Sequence, residues 1–410
     1  MVSRYLLLFL VFVLMFVAGC AESDEDDTTC ESCDEDGDDE DTLDDDDSAG
    51  GCVDGETQCG PNDEPQLCMR GLWTPLGPCG YMQYCNFGDC IDTHLDMPRD
   101  ESPHQDLSEW WYWTGHMTDD QDNLYGFELT FFYAGSIVLI PAWMIHVAII
   151  DESAAHHTHN VLFDFLWPER YPAPFRLESG SASAERVAPL TYALNGAAGD
   201  YAFSLTLADI KGVVHHGGNG TIRMTTNTTD SFYYSRPLMD LSGTLTKNGT
   251  PLAVTGEGWM DHQWGNWMPL GMVGWDWFSL RLDDGTEVMF FIFRGDRQDQ
   301  SVIDNALGTY VDENGDQVIL SQDEVKVTPL GWWESEKTGG IYPQNWRMEI
   351  PGLEMDVTLK TSIPDQEMPN PIWNYWEGLV HIEGTKQEHP VGGLGFVELS
   401  GYSGRTLIWW

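Results

Sequence analysis

Residues Trp111-Tyr112-Trp113, followed by Asp119-Asp120 and an apolar run over 127–132, decide how this chain folds, because the same layout returns later in the sequence. The second copy reads Trp275-Asp276-Trp277, then Asp283-Asp284-Gly285, then an apolar run over 288–293. The spacing from the first tryptophan to the first aspartate is the same in both copies. Each copy predicts a strand, an acidic turn and a returning strand, which is the pattern of a β-hairpin.

A second pair of segments supports a duplication. The sequence YSRPLMDLSGT at 234–244 matches YWEGLVHIEGT at 375–385. Each segment continues through a proline to a closing strand, GEGWMD at 256–261 and GLGFVE at 393–398. The matched segments keep their order along the chain, so two diverged copies of one β-rich unit lie in tandem.

The chain after Cys90 has no further cysteine and holds 17 of the 18 tryptophans, so it must be stabilised by its own apolar core. Alternating apolar residues, as in Phe203-Ser-Leu205-Thr-Leu207, predict half-buried strands. Turn sequences such as Asn248-Gly249 recur between such runs, and long amphipathic helical patterns are nearly absent. This region therefore predicts an all-β fold of two consecutive antiparallel barrels or strongly curved sheets.

The first twenty residues have the features of a lipoprotein export signal. Arg4 precedes an apolar stretch over 6–17 that is short for a membrane span, and Val17-Ala18-Gly19-Cys20 has the pattern of a lipobox. We expect residues 1–19 to be removed as a signal peptide and Cys20 to be lipidated, so that a lipid anchor holds the protein on a membrane of the bacterial cell envelope. Ala21 after the cysteine favours the outer membrane. An ordinary secretory signal with an accidental cysteine is the alternative.

Strong acidity follows the signal. Residues 22–47 contain seventeen Asp or Glu and no Lys or Arg, which predicts a disordered, extended tether over 20–51 rather than a calcium loop. Beyond this segment and Arg4, 50 acidic residues stand against 18 basic ones. Because nucleic acids and anionic lipid surfaces would repel so acidic a protein, we do not expect either as a partner.

A cysteine-rich module is predicted over 52–93. Such a short segment cannot bury a sufficient core, and export makes disulfide bonds the expected stabilising element. The spacing leaves fifteen pairings open and does not favour zinc. We interpret the module as a spacer or docking unit. Its six cysteines are Cys52, Cys59, Cys68, Cys79, Cys85 and Cys90.

Five motifs occur in order along the chain: EWWYxTGH from Glu109, YYSR from Tyr233, WMDHxWG from Trp259, GWDWFSL from Gly274 and YWEG from Tyr375. Together they resemble the AttH family, whose relatives include carotenoid 1,2-hydratase (hydroxyneurosporene synthase) and proteins described as secreted hydrolases. The resemblance spans about residues 94–402 and implies two lipocalin-like antiparallel β-barrels, over 94–265 and 266–405, with a tail at 406–410.

The resemblance implies addition of water across a carbon–carbon double bond, which needs a protonated carboxylic acid and aromatic faces that stabilise a carbocation. The residues that suit catalysis are Asp261, His262, Asp276 and Glu109. Asp261-His262 is favoured over Asp276 because the second copy has no equivalent of His262 or Trp264. The residues predicted to bind the ligand are Trp111, Trp113, Tyr234, Arg236, Trp259, Trp264, Trp275 and Trp277.

The same residues have structural interpretations. If the Trp275–Trp277 pair is core, Asp276 faces solvent; if the pair faces outward under a covering element, Asp276 points into the barrel. Arg236 could equally form an ion pair in an acid-rich protein. No Ser-His-Asp motif appears, and the clustered histidines lack partners at metal-ligand spacing, so no metal or cofactor is expected.

Two classes of function remain open at this point. One is an enzyme that adds water to a double bond of an isoprenoid or other lipid-like substrate by general acid catalysis. The other is a non-catalytic, lipocalin-like protein that binds a hydrophobic small molecule or acts as a surface interaction protein. A fold alone does not decide between them.

Overall fold

The computed structural model describes residues 52–60, 64–104, 106–135, 142–165, 175–224, 230–266, 273–295, 302–370 and 374–403. The predicted signal peptide, Cys20 and the acidic tether lie outside these residues. Helix is confined, within the described ranges, to three short 3-10 segments at Arg99–Glu101, His216–Gly218 and Pro351–Leu353. In the same ranges, no helix has the length and apolar character needed to cross a membrane.

The described residues divide into two compact units. The smaller consists of 52–56 together with Cys68–Thr74, and the disulfide Cys52–Cys68 joins its two segments. The larger contains Thr57–Leu67 and the described chain from Pro75 onward. Short strands in the cysteine-rich region are β1 (Thr57–Cys59), β2 (Pro65–Met69), β3 (Leu72–Pro75), β4 (Gln83–Asn86) and β5 (Asp89–Asp92).

Within the larger unit, β4 and β5 form a two-stranded hairpin. The disulfides Cys59–Cys85 and Cys79–Cys90 tie this hairpin to the chain on its N-terminal side. All six cysteines are therefore paired, as the composition of the segment predicted, and the structure selects one pairing from the fifteen that the spacing left open.

A twelve-stranded antiparallel sheet follows, with the order β10-β11-β12-β13-β16-β17-β6-β7-β8-β9 and with β14 and β15 paired to β16. Its strands are β6 (Ser108–Thr118), β7 (Leu124–Ala134), β8 (Ala142–Asp151), β9 (His156–Asp164), β10 (Arg176–Ser179), β11 (Ala182–Ala188), β12 (Thr191–Ala198), β13 (Tyr201–Asp209), β14 (Val214–His215), β15 (Thr221–Arg223), β16 (Asp230–Lys247) and β17 (Thr250–Gly265).

A ten-stranded antiparallel sheet completes the chain, with the order β21-β20-β19-β18-β27-β26-β24-β23-β22 and with β25 paired to β26. Its strands are β18 (Trp275–Leu282), β19 (Glu287–Arg294), β20 (Ile303–Val311), β21 (Gln317–Ser321), β22 (Lys326–Glu334), β23 (Ile341–Ile350), β24 (Met355–Thr361), β25 (Glu367–Met368), β26 (Tyr375–Lys386) and β27 (His389–Ser400).

The two sheets share one strand order. In each, the last long hairpin of the copy pairs with the first strand of the same copy: β17 pairs with β6, and β27 pairs with β18. The next strands then follow in sequence on the far side, β7-β8-β9 in one sheet and β19-β20-β21 in the other. The prediction of an all-β chain with two tandem barrel-like sheets after a disulfide-rich segment is confirmed.

Each curled sheet encloses its own apolar core, and a third apolar layer lies between the two sheets. Trp111 and Trp113 belong to the first core, and Phe278 and Trp346 belong to the second. Because side chains alternate along a strand, the opposite faces of the same strands supply the layer between the sheets. Members of that layer include Tyr112, Trp259, Trp277 and Phe396.

Strand pairing corrects the alignment of the two copies by one residue. Asp261 pairs with Tyr112, and its counterpart Glu398 pairs with Trp277. Tyr112 therefore corresponds to Trp277, and not to Asp276 as the two Trp-x-Trp motifs suggested. Because neighbouring residues on a strand face opposite ways, the two motifs point to different faces of their sheets.

A β-bulge produces a similar shift in β16. The pairing with β17 changes register between Arg236 and Met239, where the ladder of the two strands is irregular. Pro237 lies in this irregular step, where its missing N–H costs no ladder hydrogen bond. Before the bulge, Tyr233 takes the position of Tyr375, because Tyr233 pairs with Gln263 and Tyr375 pairs with Ser400.

Candidate active site

A cavity of about 100 Å³ lies between the outer faces of the two sheets. The first sheet contributes residues of β6, β7, β8, β16 and β17, and the second contributes residues of β18, β19, β26 and β27. The cavity is large enough for several water molecules or for the reacting end of a longer ligand.

Aromatic side chains form most of the wall. Tyr112 meets Trp277 edge-on with 5.1 Å between ring centroids, and Trp275 packs against Phe293 at 6.3 Å. Such rings offer electron-rich faces to a cationic group or to a double bond. The aromatic residues that line the cavity are Trp110, Tyr112, Phe132, Tyr233, Trp275, Trp277, Phe291, Phe293 and Tyr375.

Carboxyl groups interrupt this aromatic wall. Glu128, Asp261 and Glu398 line the cavity, and no lysine or arginine is found among the described residues that do so. A fourth carboxyl lies behind Tyr112, whose hydroxyl donates a hydrogen bond of 2.6 Å to Glu377 Oε1. The cavity is thus acidic as well as aromatic.

Asp261 is surrounded by hydrogen-bond donors. The hydroxyl of Tyr233 donates to Oδ2 over 2.5 Å, Trp259 Nε1 donates to Oδ1 over 2.6 Å, and the hydroxyl of Ser235 also donates to Oδ1. Burial raises the pKa of Asp261 to about 6, and these three donors oppose a larger rise. Near pH 7 the group is therefore a carboxylate held in a fixed orientation.

A relay behind Ser235 fixes the direction of these hydrogen bonds. Because Ser235 donates to Asp261, its oxygen accepts from His216 Nε2 at 2.6 Å, and His216 Nδ1 then accepts from the hydroxyl of Thr309 at 2.9 Å. Burial lowers the pKa of His216 to about 3, so the ring stays neutral. Thr309 belongs to β20, and the relay therefore joins the two sheets.

Glu128, Glu377 and Glu398 form a separate group of interacting carboxyls. Burial, together with repulsion from Glu128, raises the pKa of Glu398 to about 8. Burial is also the main cause of the raised pKa of Glu128 and Glu377, and repulsion from Glu128 and Glu398 adds to it at Glu377. Three carboxyls so close together cannot all ionise cheaply, so protonated acid is available near neutral pH.

Individual hydrogen bonds orient these acids. Trp275 donates from its indole to Glu398, and the hydroxyl of Tyr375 donates to Glu128 Oε1 over 3.0 Å. The Oε2 atoms of Glu128 and Glu377 are fully buried and have no hydrogen-bond partner within the described residues. An unsatisfied buried carboxyl oxygen is costly in a structural role and is typical of a site that meets a ligand.

Equivalent positions of the two copies build the two walls. With the corrected register, Asp261 corresponds to Glu398 and Tyr233 corresponds to Tyr375. The tryptophans Trp110 and Trp275 are likewise equivalent. Duplication has therefore produced a cavity with related walls, and the carboxyl environments then diverged.

Four of the residues proposed from sequence belong to this site. Asp261, Trp275 and Trp277 line the cavity, and Trp259 holds Asp261. The remaining candidates lie on the inner faces of the sheets, because side chains on one strand alternate between faces. Those are Glu109, Trp111, Trp113, Tyr234, Arg236, His262 and Trp264 in the first sheet, and Asp276 in the second.

Glu109 and His262 meet inside the first sheet rather than at the cavity. Glu109 Oε1 lies 3.0 Å from His262 Nε2 and 2.7 Å from His104 Nδ1. Burial alone would raise the pKa of Glu109, but the two histidines lower it below its ordinary value, whereas burial lowers the pKa of His262 to about 4. His104, Glu109 and His262 are close enough to hold a metal ion, yet hydrogen bonds already use these atoms.

Aromatic and ionic contacts fill the rest of this interior. Trp111 stacks on His262 with 4.5 Å between centroids, and Trp264 stacks on His104 at 4.1 Å. Arg236 donates to Glu101 and Asp209, which is the ion pair that the structural interpretation anticipated. These contacts attach the Arg99–Glu101 segment to the inside of the first sheet.

Asp276 follows the second of the two interpretations given above. Trp275 and Trp277 face outward onto the cavity, so Asp276 points into the second sheet, where Arg294 and the hydroxyl of Tyr402 donate to it. Burial raises its pKa, and Arg294 opposes the rise. Asp276, Glu109 and His262 do not line the cavity. A catalytic role for these residues therefore stays a prediction.

Sequence reasoning did not propose Glu128, Glu377 and Glu398 as site residues. The alignment of Asp261 with Glu398 did contain a usable indication, since each acid closes a glycine-rich segment and lies two positions after a large aromatic residue. Glu128 lies inside the apolar run of β7, and a lone acid in such a run is a sign of a buried functional site, because acids are rarely fully buried otherwise. Glu377 follows the Tyr375-Trp376 pair and shares the face of Tyr375.

Comparisons with known proteins agree with this architecture. The AttH-like family model matches residues 91–402. An AttH-type protein from Nitrosomonas europaea is similar in structure with a TM-score of 0.67 at 27% identity, over 75% of this chain and 97% of that chain. Kievitone hydratase from Nectria haematococca is similar with a TM-score of 0.62 at 19% identity, over 75% of this chain and 92% of that chain. No curated protein matches the chain.

Proposed function

Because this chain belongs to the AttH-like family, we propose that it binds an uncharged, apolar, alkene-containing ligand between its two sheets and adds water across the double bond. The observation that carries the proposal is a group of buried carboxyls with raised pKa values in an aromatic cavity. A hydratase among the structural neighbours is in keeping with the proposal, although its identity of 19% supports only the fold.

Glu398 is the proposed general acid. Its raised pKa keeps it protonated near pH 7, and Trp275 fixes one side of the carboxyl by donating to it. Transfer of its proton to one alkene carbon forms a C–H bond from the π electrons and leaves a tertiary carbocation on the other carbon. The faces of Trp275, Trp277 and Tyr112 stabilise that charge in a site with little water.

Asp261 is the proposed general base. The donors around it keep it ionised near pH 7, as its pKa of about 6 requires. A water molecule beside Asp261 attacks the carbocation through an oxygen lone pair and gives its extra proton to the carboxylate. Net addition of H and OH to the double bond follows, and transfer of a proton from Asp261 to Glu398 through solvent restores the starting state.

We also propose that the protein works at a membrane surface. Lipidation of Cys20 and an extended acidic tether over 20–51 would place the two sheets near the outer membrane, where lipid-like ligands are found. Replacement of Cys20 by alanine should move the protein from the membrane fraction to the soluble fraction of the cell envelope.

The hydration proposal is tested with purified protein and a panel of isoprenoid alkenes in water enriched in oxygen-18. Wild-type protein should produce alcohols that carry the heavy oxygen. Glu398→Gln and Asp261→Asn should each reduce the rate at least about 100-fold, the lower end of what a positioned acid or base contributes. Asp240→Asn, an exposed change on β16, is the matched control and should leave the rate unchanged.

Two results would count against hydration. Binding of an alkene without any label uptake by the wild type would make the protein a carrier of hydrophobic ligands. Full activity in both cavity variants would place the chemistry elsewhere and would return attention to Asp276 and Glu109.

A further inference from the structure

We propose that the cavity is a binding site for organic ammonium ions that carry a compact apolar group, such as a trimethylammonium head group. The inference rests on the proposed function for the position of the site but not for its chemistry. It would hold for a protein that binds and does not catalyse.

The composition of the cavity wall is the first argument. Quaternary ammonium ions bind to the faces of tryptophan and tyrosine, and the rings of Trp110, Tyr112, Trp275 and Trp277 lie around one small space. Three carboxyls line the same space, and no positive side chain does so in the described chain. A metal ion would lose a tightly held water shell against such a wall, whereas a methylated ammonium ion is weakly hydrated and loses its water at a much smaller cost.

The unsatisfied oxygens are the second argument. Glu128 lines the cavity and is fully buried, and its Oε2 has no hydrogen-bond partner among the described residues. A methylated ammonium ion does not donate a hydrogen bond but neutralises a nearby negative charge. It therefore supplies the positive charge that these carboxylates lack, and the aromatic wall favours it over a primary ammonium ion, which is more strongly hydrated.

Shape and charge together define the ligand class. The volume of about 100 Å³ admits a head group of a few heavy atoms. An anionic ligand of the same shape is disfavoured because it would face Glu128, Asp261 and Glu398 with no cation to balance it.

Binding of a cation should strengthen as the acids ionise. The titratable groups that face Glu398 are Tyr112 on β6, Glu128 on β7, His146 on β8, Tyr233 on β16, Asp261 on β17, and Tyr375 and Glu377 on β26. The tyrosines and His146 remain neutral in this range, because burial raises the pKa of the former and lowers that of the latter. The carboxyls alone set the change, so affinity should rise between pH 6 and pH 9.

Three probes of one shape test the inference. Choline carries a trimethylammonium group, 3,3-dimethyl-1-butanol is its neutral counterpart, and 3,3-dimethylbutanoate is an anionic analogue. Titration calorimetry on the full mature chain should show choline binding at least tenfold tighter than the neutral alcohol at pH 9 and less than threefold tighter at pH 6. The anion should not bind measurably at either pH.

Variants assign the effect to the cavity. Glu398→Gln should remove most of the increase in choline affinity between pH 6 and pH 9. Glu128→Gln should reduce this increase, and it serves as a second variant if the first folds poorly. Circular dichroism checks the fold of each. Glu383→Gln changes an exposed acid on β26 and should behave as the wild type.

The result that overturns the inference is equal or weaker binding of choline relative to the neutral alcohol at pH 9. This outcome is separable from the hydration test. If the protein incorporates oxygen-18 but does not prefer choline, the hydratase proposal stands and the cation site is rejected. If the protein prefers choline but incorporates no label, the cation site stands and the hydratase proposal is rejected.

Discussion

Glu398 and Asp261 hold equivalent positions in the two copies, yet their surroundings give them different protonation states. Asp261 accepts from Tyr233, Ser235 and Trp259, which favours the ionised form. Burial of Glu398 and repulsion from Glu128 favour its neutral form, and the single hydrogen bond from Trp275 opposes this only in part. Environments that separate two carboxyls in this way are what acid–base catalysis requires.

The raised pKa of Glu398 predicts a pH-dependent cost in stability. Because its pKa rises from 4.5 to about 8 on folding, the folded chain binds more protons than the unfolded chain between these values. The free energy of unfolding therefore falls as pH rises through this window. Glu398→Gln has no such cost, so it should be more stable than the wild type at pH 9 by about 1–3 kcal/mol.

Urea unfolding at pH 5 and pH 9 measures this difference. The advantage of Glu398→Gln should be small at pH 5, where the folded wild type keeps the proton. Glu383→Gln, on an exposed position of β26, should show no comparable dependence. A Glu398→Gln variant that is less stable than the wild type at pH 9 would contradict the assignment of Glu398 as a neutral acid.

Strands β6 and β17 each have a cavity residue on one face and a polar residue of the sheet interior on the other face. On β17, Asp261 faces the cavity and His262 faces the interior of the first sheet; on β6, Tyr112 and Glu109 divide in the same way. The prediction from sequence took Asp261 and His262 together because the second copy has no equivalent of His262. In a strand, adjacency places them on opposite faces.

This separation predicts that Glu109→Gln damages stability without damaging the cavity. Burial would lower the pKa of His104, but hydrogen bonds to Asp100 and Glu109 raise it, so loss of the Glu109 charge leaves a buried cation partly uncompensated. The free energy of unfolding should fall by about 3–5 kcal/mol. Choline affinity, measured well below the unfolding temperature, should stay within twofold of the wild type. Loss of choline binding would instead mean that Glu109 and the cavity residues form one functional site.

The fold was predictable from sequence because it depends on repeated patterns. The paired tryptophan hairpins and the second pair of matched segments were sufficient to predict two similar sheets in tandem. The register was not predictable, since a one-residue slip exchanges the two faces of a strand. The bulge at Pro237 shifts the alignment of β16 by one residue, and composition does not reveal a bulge.

Only part of the candidate site could be predicted from sequence, because local patterns identify some of its residues and not others. Asp261, Trp275 and Trp277 were found because they belong to strong motifs. Glu128 and Glu377 could not be chosen over other acids, because their significance comes from being brought together across two sheets that are far apart in sequence. Long-range placement of this kind follows from sheet pairing and not from local pattern.

At the scale of the molecule, the β4–β5 hairpin joins both sheets. Tyr84 stacks on His215 of the first sheet with 3.9 Å between centroids. Asn86 Oδ1 accepts from the backbone N–H of Gln317 in the second sheet at 2.8 Å. The hairpin therefore contacts both copies, and the interpretation of the cysteine-rich module as a spacer or docking unit stays a prediction.

Removal of the Cys59–Cys85 disulfide should therefore destabilise the whole larger unit. The two cysteines are separated by 26 positions in the sequence, and loss of the bond should cost about 3–4 kcal/mol through the greater freedom of the unfolded chain. Scanning calorimetry of a Cys59→Ser/Cys85→Ser variant should show a lower Tm but still one transition. The two sheets should continue to unfold together because Trp259 and Phe396 remain packed in the layer between them. Two separate transitions would mean that the hairpin, and not this apolar layer, couples the sheets.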